Sequence, residues 1–122
     1  MLNPIFLLTF DVEPNIRSLV PIYGEWSGMK EVMPRLLDIV TDLKVSCTWF
    51  ITHDYWAHID DLYPTIVERM AFNGEIGCHT HFGRRTAESD NLDSSPIFQK
   101  ELIEQATHSL RQKGYPTLSF RG

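Results

Sequence analysis

The chain has 122 residues, 43% of them hydrophobic and 22% charged, which is enough apolar material for the core of one domain. Its net charge of −5 argues against nucleic acid or an anionic membrane surface as a partner, since both reward a concentrated basic patch and only Arg84-Arg85 pairs two basic residues. No run approaches the roughly 18 apolar residues of a membrane helix. The N-terminal apolar run lacks a basic leader and a small-residue cleavage site, so the chain is expected to be cytoplasmic.

In chain order, Ile5-Phe6-Leu7-Leu8 opens a buried strand that ends in Thr9-Phe10-Asp11-Val12-Glu13. Residues 14–28 carry Pro14, Pro21, Gly24 and Gly28 and read as a loop, in which Trp26 is either core or a stacking wall for a sugar ring. Met29, Val32, Leu36, Leu37, Val40 and Leu43 recur at helical spacing and predict an amphipathic helix over about residues 30–43. Pro34 is tolerable only in its first turn. Residues 45–51 predict a second strand, whose exit holds His53 and Asp54 near the same end as Asp11. Asp60 or Asp61 is expected to cap a second helix bearing Ile66, Val67, Met70 and Ala71, with Gly74 at its stop. A third strand follows over residues 75–79, then a polar, irregular stretch over 82–95. Ser95 as cap and Pro96 at the first helical position open a third helix, which Gly114 ends. Leu118-Ser119-Phe120 starts a fourth strand. Strands alternating with helices predict right-handed βαβ units and a parallel sheet.

Candidate chemistry gathers at predicted strand ends. His79 and His81 lie two residues apart, so on a strand both imidazoles face one side and can reach one ion. Asp11 and Glu13 share the same spacing at the carboxyl end of the first strand, where parallel α/β folds collect ligands and catalytic groups. One carboxylate and two histidines make a metal site with open positions, leaving the other carboxylate as a base. Cys47 and Cys78 fall inside apolar strands and read as buried free thiols; His58 and His108 read as helix-flank residues.

Taken in order, Thr9-Phe10-Asp11, Cys47-Thr48-Trp49-Phe50, Gly74-Glu75-Ile76-Gly77-Cys78-His79 and Phe120-Arg121-Gly122 resemble the polysaccharide deacetylase family, the NodB-homology domain of carbohydrate esterase family four. The resemblance implies an incomplete distorted (β/α) barrel, with the chain as a single domain forming the N-terminal portion of a longer barrel. It implies a metal-dependent hydrolase of non-peptide C–N bonds, acting by de-N-acetylation of an amino sugar or polysaccharide, with zinc as the expected ion. By resemblance Asp11 is the base and Arg121 the residue that orients it. The family's usual metal-binding aspartate is replaced by Val12, so Glu13 takes that duty; the usual second histidine would fall at Gly83, so His81 joins His79 as ligand. The histidine that serves the family as general acid has no counterpart, so the chain alone is expected to be inactive. The alternative is a non-catalytic remnant that binds metal or carbohydrate. A carbohydrate or small amide is the expected partner, with a second copy covering the open barrel edge.

Overall fold

The computed structural model describes residues 6–14, 26–52, 56–80, 84–86, 89–93 and 95–122. Strand β1 (Leu8–Val12) is followed by α1 (Ser27–Glu31), α2 (Met33–Asp42) and β2 (Cys47–Thr52). Helices α3 (Trp56–Leu62) and α4 (Pro64–Asn73) lead to β3 (Glu75–His79); then come β4 (Arg84–Thr86), β5 (Ser89–Asp93), α5 (Pro96–Gln112) and β6 (Phe120–Arg121). β1, β2, β3 and β6 pair in that order, all parallel, and form a curled half-barrel with helices between the strands. This is the incomplete α/β barrel expected from the sequence.

The sheet has two chemically distinct faces, and the register decides which residue lies on which. Phe10 pairs with Trp49 and Trp49 with Ile76, while Val12 pairs with Ile51 and Ile51 with Cys78. Residues in register on neighbouring strands point to the same side, so these form one apolar face. It packs with Leu37 and Val40 of α2, Val67 and Met70 of α4, and Ala106 and Leu110 of α5 in a single core. Phe10 stacks on Trp49 with ring centroids 4.8 Å apart, and Trp49 is fully buried. Truncating such a tryptophan to alanine typically costs about 3–5 kcal/mol.

The other, concave face carries Thr9, Asp11, Thr48, Phe50, Thr52, Glu75, Gly77, His79 and Arg121. Purely parallel sheets are usually apolar on both sides; here the inner layer is mostly polar.

The helices depart from the sequence reading in identifiable places. The helix expected over residues 30–43 is two, broken at Val32. Pro34, in the first turn of α2, has no amide hydrogen and crowds the carbonyl of the preceding turn, so the ladder restarts there. Asp60 and Asp61 do not cap a helix; both lie inside α3, and Tyr63 precedes α4 with no side-chain cap bond, Pro64 opening the helix instead. The stretch expected to be irregular contains β4 and β5, an antiparallel pair. The last strand begins at Phe120, because the Leu118 and Ser119 amides bond to the Glu75 carboxylate rather than to the β3 ladder. Ser95 caps α5 as expected, its hydroxyl accepting from the Phe98 amide at 3.3 Å.

Two helices end in the same device. At the end of α5 the Tyr115 amide returns to Leu110 O and the Gly114 amide to Arg111 O, with Gly114 at φ 89°. At the end of α2 the Val45 amide returns to Val40 O and the Lys44 amide to Thr41 O, with Lys44 at φ 55°. Both are Schellman caps. Only the second puts a side chain where glycine is favoured.

Candidate functional site

Asp11, His79 and Arg121 lie on the concave face near the strands' carboxyl ends, and Glu13 follows β1 directly. Neighbouring strands are about 4.8 Å apart, so β1 and β6 would stand about 14 Å apart in a flat sheet. An arginine side chain cannot bridge that gap; the curl of the half-barrel brings β6 within reach of β1. Arg121 Nη1 donates to Asp11 Oδ1 at 2.8 Å and Nη2 to Thr9 Oγ1 at 2.7 Å.

His79 is held at both ring nitrogens. Nδ1 lies 3.0 Å from the Arg121 carbonyl; a carbonyl oxygen only accepts, so this nitrogen carries the proton. Nε2 lies 2.9 Å from Glu13 Oε1. With Nδ1–H committed, a neutral imidazole offers Glu13 only a lone pair, and a carboxylate is also an acceptor. A proton or a metal ion must therefore lie between them. Donation of the distal N–H to a backbone carbonyl is the arrangement that fixes a metal-binding histidine's tautomer and ring plane.

Burial separates the two side-chain contacts of the cluster. The His79 and Glu13 side chains are 7% and 21% exposed, whereas those of Arg121 and Asp11 are 39% and 40% exposed. An exposed pair contributes at most about 1 kcal/mol. The Arg121–Asp11 contact therefore does more to orient Asp11 than to stabilise the fold. A cavity of about 210 Å³ opens beside the carboxylates, lined by Asp11, Val12, Glu13, Met29, Val32 and Met33.

Beneath the Glu13–His79 contact, Thr52 is the register partner of His79 and is fully buried. Among the described residues its hydroxyl has no hydrogen-bond partner. Phe50 and Gly77 also belong to this face, and neither was singled out by the sequence. Their signal was the period of two running from Asp11 and His79, but it needs the register to be read.

Glu13 and His79, expected to act together, are in contact, as are Asp11 and Arg121. His81, His53 and Asp54 lie outside the described residues. Trp26 is core: it is 6% exposed and its ring lies 5.6 Å from that of His58. Cys47 and Cys78 are buried and free. Burial pushes the Cys78 thiol up to about 11, a hydrogen bond with the Thr107 side chain pulling the other way. Such a thiol is not a nucleophile.

Fold and cluster together define an α/β-barrel protein with a carboxylate–imidazole site at the strands' carboxyl ends. The polysaccharide deacetylase family model matches residues 3–120, and the chain belongs to that family. Membership supports a deacetylase or amidohydrolase role. No curated protein and no solved structure matches the chain.

Proposed function

We propose that the protein is a metal-dependent amidohydrolase that removes an acyl group, most simply acetyl, from the nitrogen of an amino sugar. One observation carries the reading: in a chain of this family, His79 lies with Nδ1 3.0 Å from the Arg121 carbonyl and Nε2 2.9 Å from Glu13 Oε1 at the strands' carboxyl ends. That donor set fits a divalent ion, with Glu13 and His79 as two ligands and His81 as the third. Carboxylate and imidazole together suit zinc. Bound there, the ion would polarise the acyl carbonyl and lower the pKa of a coordinated water.

The chain's own groups have separate tasks. Asp11 takes the proton of the attacking water, because its carboxylate is fixed by Arg121 at 2.8 Å and is open to solvent, and the departing amine takes its proton from water, since the family's general-acid histidine has no counterpart in these residues. Arg121 holds Asp11 with its side chain and the tautomer of His79 with its carbonyl, so one residue sets both halves of the site. The 210 Å³ cavity beside the two carboxylates is open to solvent and has room for a short acyl group.

Another observation favours a second reading, a non-catalytic binder of metal or carbohydrate: among the described residues no three histidine, cysteine or acidic side chains converge on one point. Acetate release from N-acetylglucosamine oligomers, with and without a chelator, separates the two. In a form of the protein that also carries the family's general-acid histidine, release that stops on chelation and returns with zinc is expected; the 122 residues alone are expected to release none. Binding of the oligomer without release supports the second reading, and release indifferent to chelation overturns the metal.

A further inference from the structure

The concave face contains one large apolar side chain that polar alternation does not explain. Phe50 lies between Asp11 and Gly77 in register, a single row across β1, β2 and β3. On a face built of Thr, Asp, Glu and His it is only 5% exposed. Two neighbours account for this. On one side a Cβ at Gly77 would fall 2.7 Å from both Cδ1 and Cε1 of the ring, so the ring leans into the space that glycine leaves. On the other, the Arg121 guanidinium lies over the ring, its Cζ 4.7 Å from the centroid. Arg121 passes over β3 and β2 on its way from β6 to β1, and Phe50 is what it crosses.

We infer that Gly77 and Phe50 are positioning residues for the Arg121–Asp11 pair: Gly77 lets the ring lie low, and the ring face holds the guanidinium in the plane that meets Asp11 and Thr9. The inference rests on the proposed role of Asp11. The exposed ion pair alone is too weak to fix a side chain with that many rotamers. A cation over an aromatic face adds a comparable amount, and it restricts the guanidinium to a surface parallel to the ring. With the ring in place, both Nη atoms are delivered at once, Nη1 to Asp11 and Nη2 to Thr9. Without it, the guanidinium is free to bond water instead, and Asp11 loses its fixed direction. A Gly77 methyl acts through the same path in the opposite sense, lifting the ring into the guanidinium. Displacement of a catalytic group by about 1 Å can cost about a hundredfold in rate.

The test compares Phe50→Leu, Phe50→Tyr, Gly77→Ala and Arg121→Lys in the whole protein, each verified as folded by its thermal transition. Phe50→Leu and Gly77→Ala are expected to lower kcat about tenfold or more with KM nearly unchanged, and Phe50→Tyr to recover most of the loss. Phe50→Leu added to Arg121→Lys should cost little more than Arg121→Lys alone, since both act through one contact. An independent arm needs no substrate: the Arg121 side-chain proton resonances, shifted upfield by the ring in the wild type, should move toward free-arginine values in Phe50→Leu and not in Phe50→Tyr. Additive kinetic losses, or Arg121 resonances unmoved by Phe50→Leu, would overturn the inference. If the wild type releases no acyl group, the hydrolase reading fails and the resonance arm alone decides the stack.

Discussion

The two ends of β3 are built from the same parts to different effect. At the amino end, Glu75 takes the Leu118 and Ser119 amides on Oε1 at 2.8 and 2.6 Å and the Ser119 hydroxyl on Oε2 at 2.8 Å. Three donors meet one carboxylate, and the segment before β6 is fastened. At the carboxyl end, His79 also fastens that segment, through the Arg121 carbonyl, but turns its other nitrogen toward a second acceptor. One end gathers three donors on a carboxylate, and the other sets an imidazole against a carboxylate and a carbonyl. Barrels of this kind divide labour in the same way, stability at the amino face and chemistry at the carboxyl face.

The strongest way to break that contrast is to remove chemistry without removing stability. Asp11→Asn should reduce acyl release by about 10²–10⁴-fold while shifting the free energy of unfolding by less than about 1 kcal/mol. Steady-state kinetics and a urea melt on the same preparation check both halves; a large loss of stability would make Asp11 a structural residue.

The converse substitution comes next. Glu75→Ala strands two amides and a hydroxyl, and should cost about 3 kcal/mol of stability with the rate per folded molecule unchanged. A comparable fall in rate would mean that the two ends are not separable.

A third probe contrasts His79 with its neighbour on the opposite face. The Cys78 thiol ionises at about 11 when folded against an ordinary value of 9.0, so the unfolded chain loses its proton first. Stability is therefore unaffected by this group below pH 9 and declines as pH rises from 9 to 11, by about 2 kcal/mol in all. Cys78→Ala should remove that decline in pH-dependent denaturation, at its own fixed cost from the lost packing.

The smallest effect belongs to Lys44, near the amino ends of the strands. Its φ of 55° is a glycine conformation, so Lys44→Gly should raise stability by about 0.5–1 kcal/mol with no change in rate, as thermal unfolding would show.

Much of this was legible in the sequence because period-two and helical patterns are local. The first strand begins only at Leu8, with Phe6 and Leu7 of the apolar run exposed before it, whereas the strand ending at His79 and the Ser95-Pro96 helix start follow from residues within a few positions of one another. The breaks at Val32 and Tyr63 did not, since the apolar spacing continues through both; Pro34 and Pro64 carried the signal, and Asp60 and Asp61 drew attention as better side-chain caps. Asp60 is instead the partner of Lys113 Nζ at 2.6 Å. In the site, the spacing and the family resemblance picked out Glu13 with His79 and Asp11 with Arg121. The duties of Phe50, Gly77, Thr52 and Glu75 depend on which residues lie opposite one another on different strands, and that register is a property of the sheet.

The cap that Arg121 places on the site also sets a timetable. Asp11 and Arg121 are 110 positions apart, and His79 is 42 positions from the carbonyl that fixes its tautomer. Synthesis at about 5–20 residues per second makes β1, β2 and β3 available several seconds before β6 emerges. The apolar face can gather around Trp49 during that interval, whereas the acid and the imidazole stay undirected until β6 docks. Arg121 substitutions should accordingly accelerate unfolding far more than they slow folding, a pattern that the two arms of a denaturant chevron would display. The Asp11–Arg121 and His79–Arg121 contacts thus form only after β6 is made, and until then a nascent chain carries its histidine and carboxylates without that geometry.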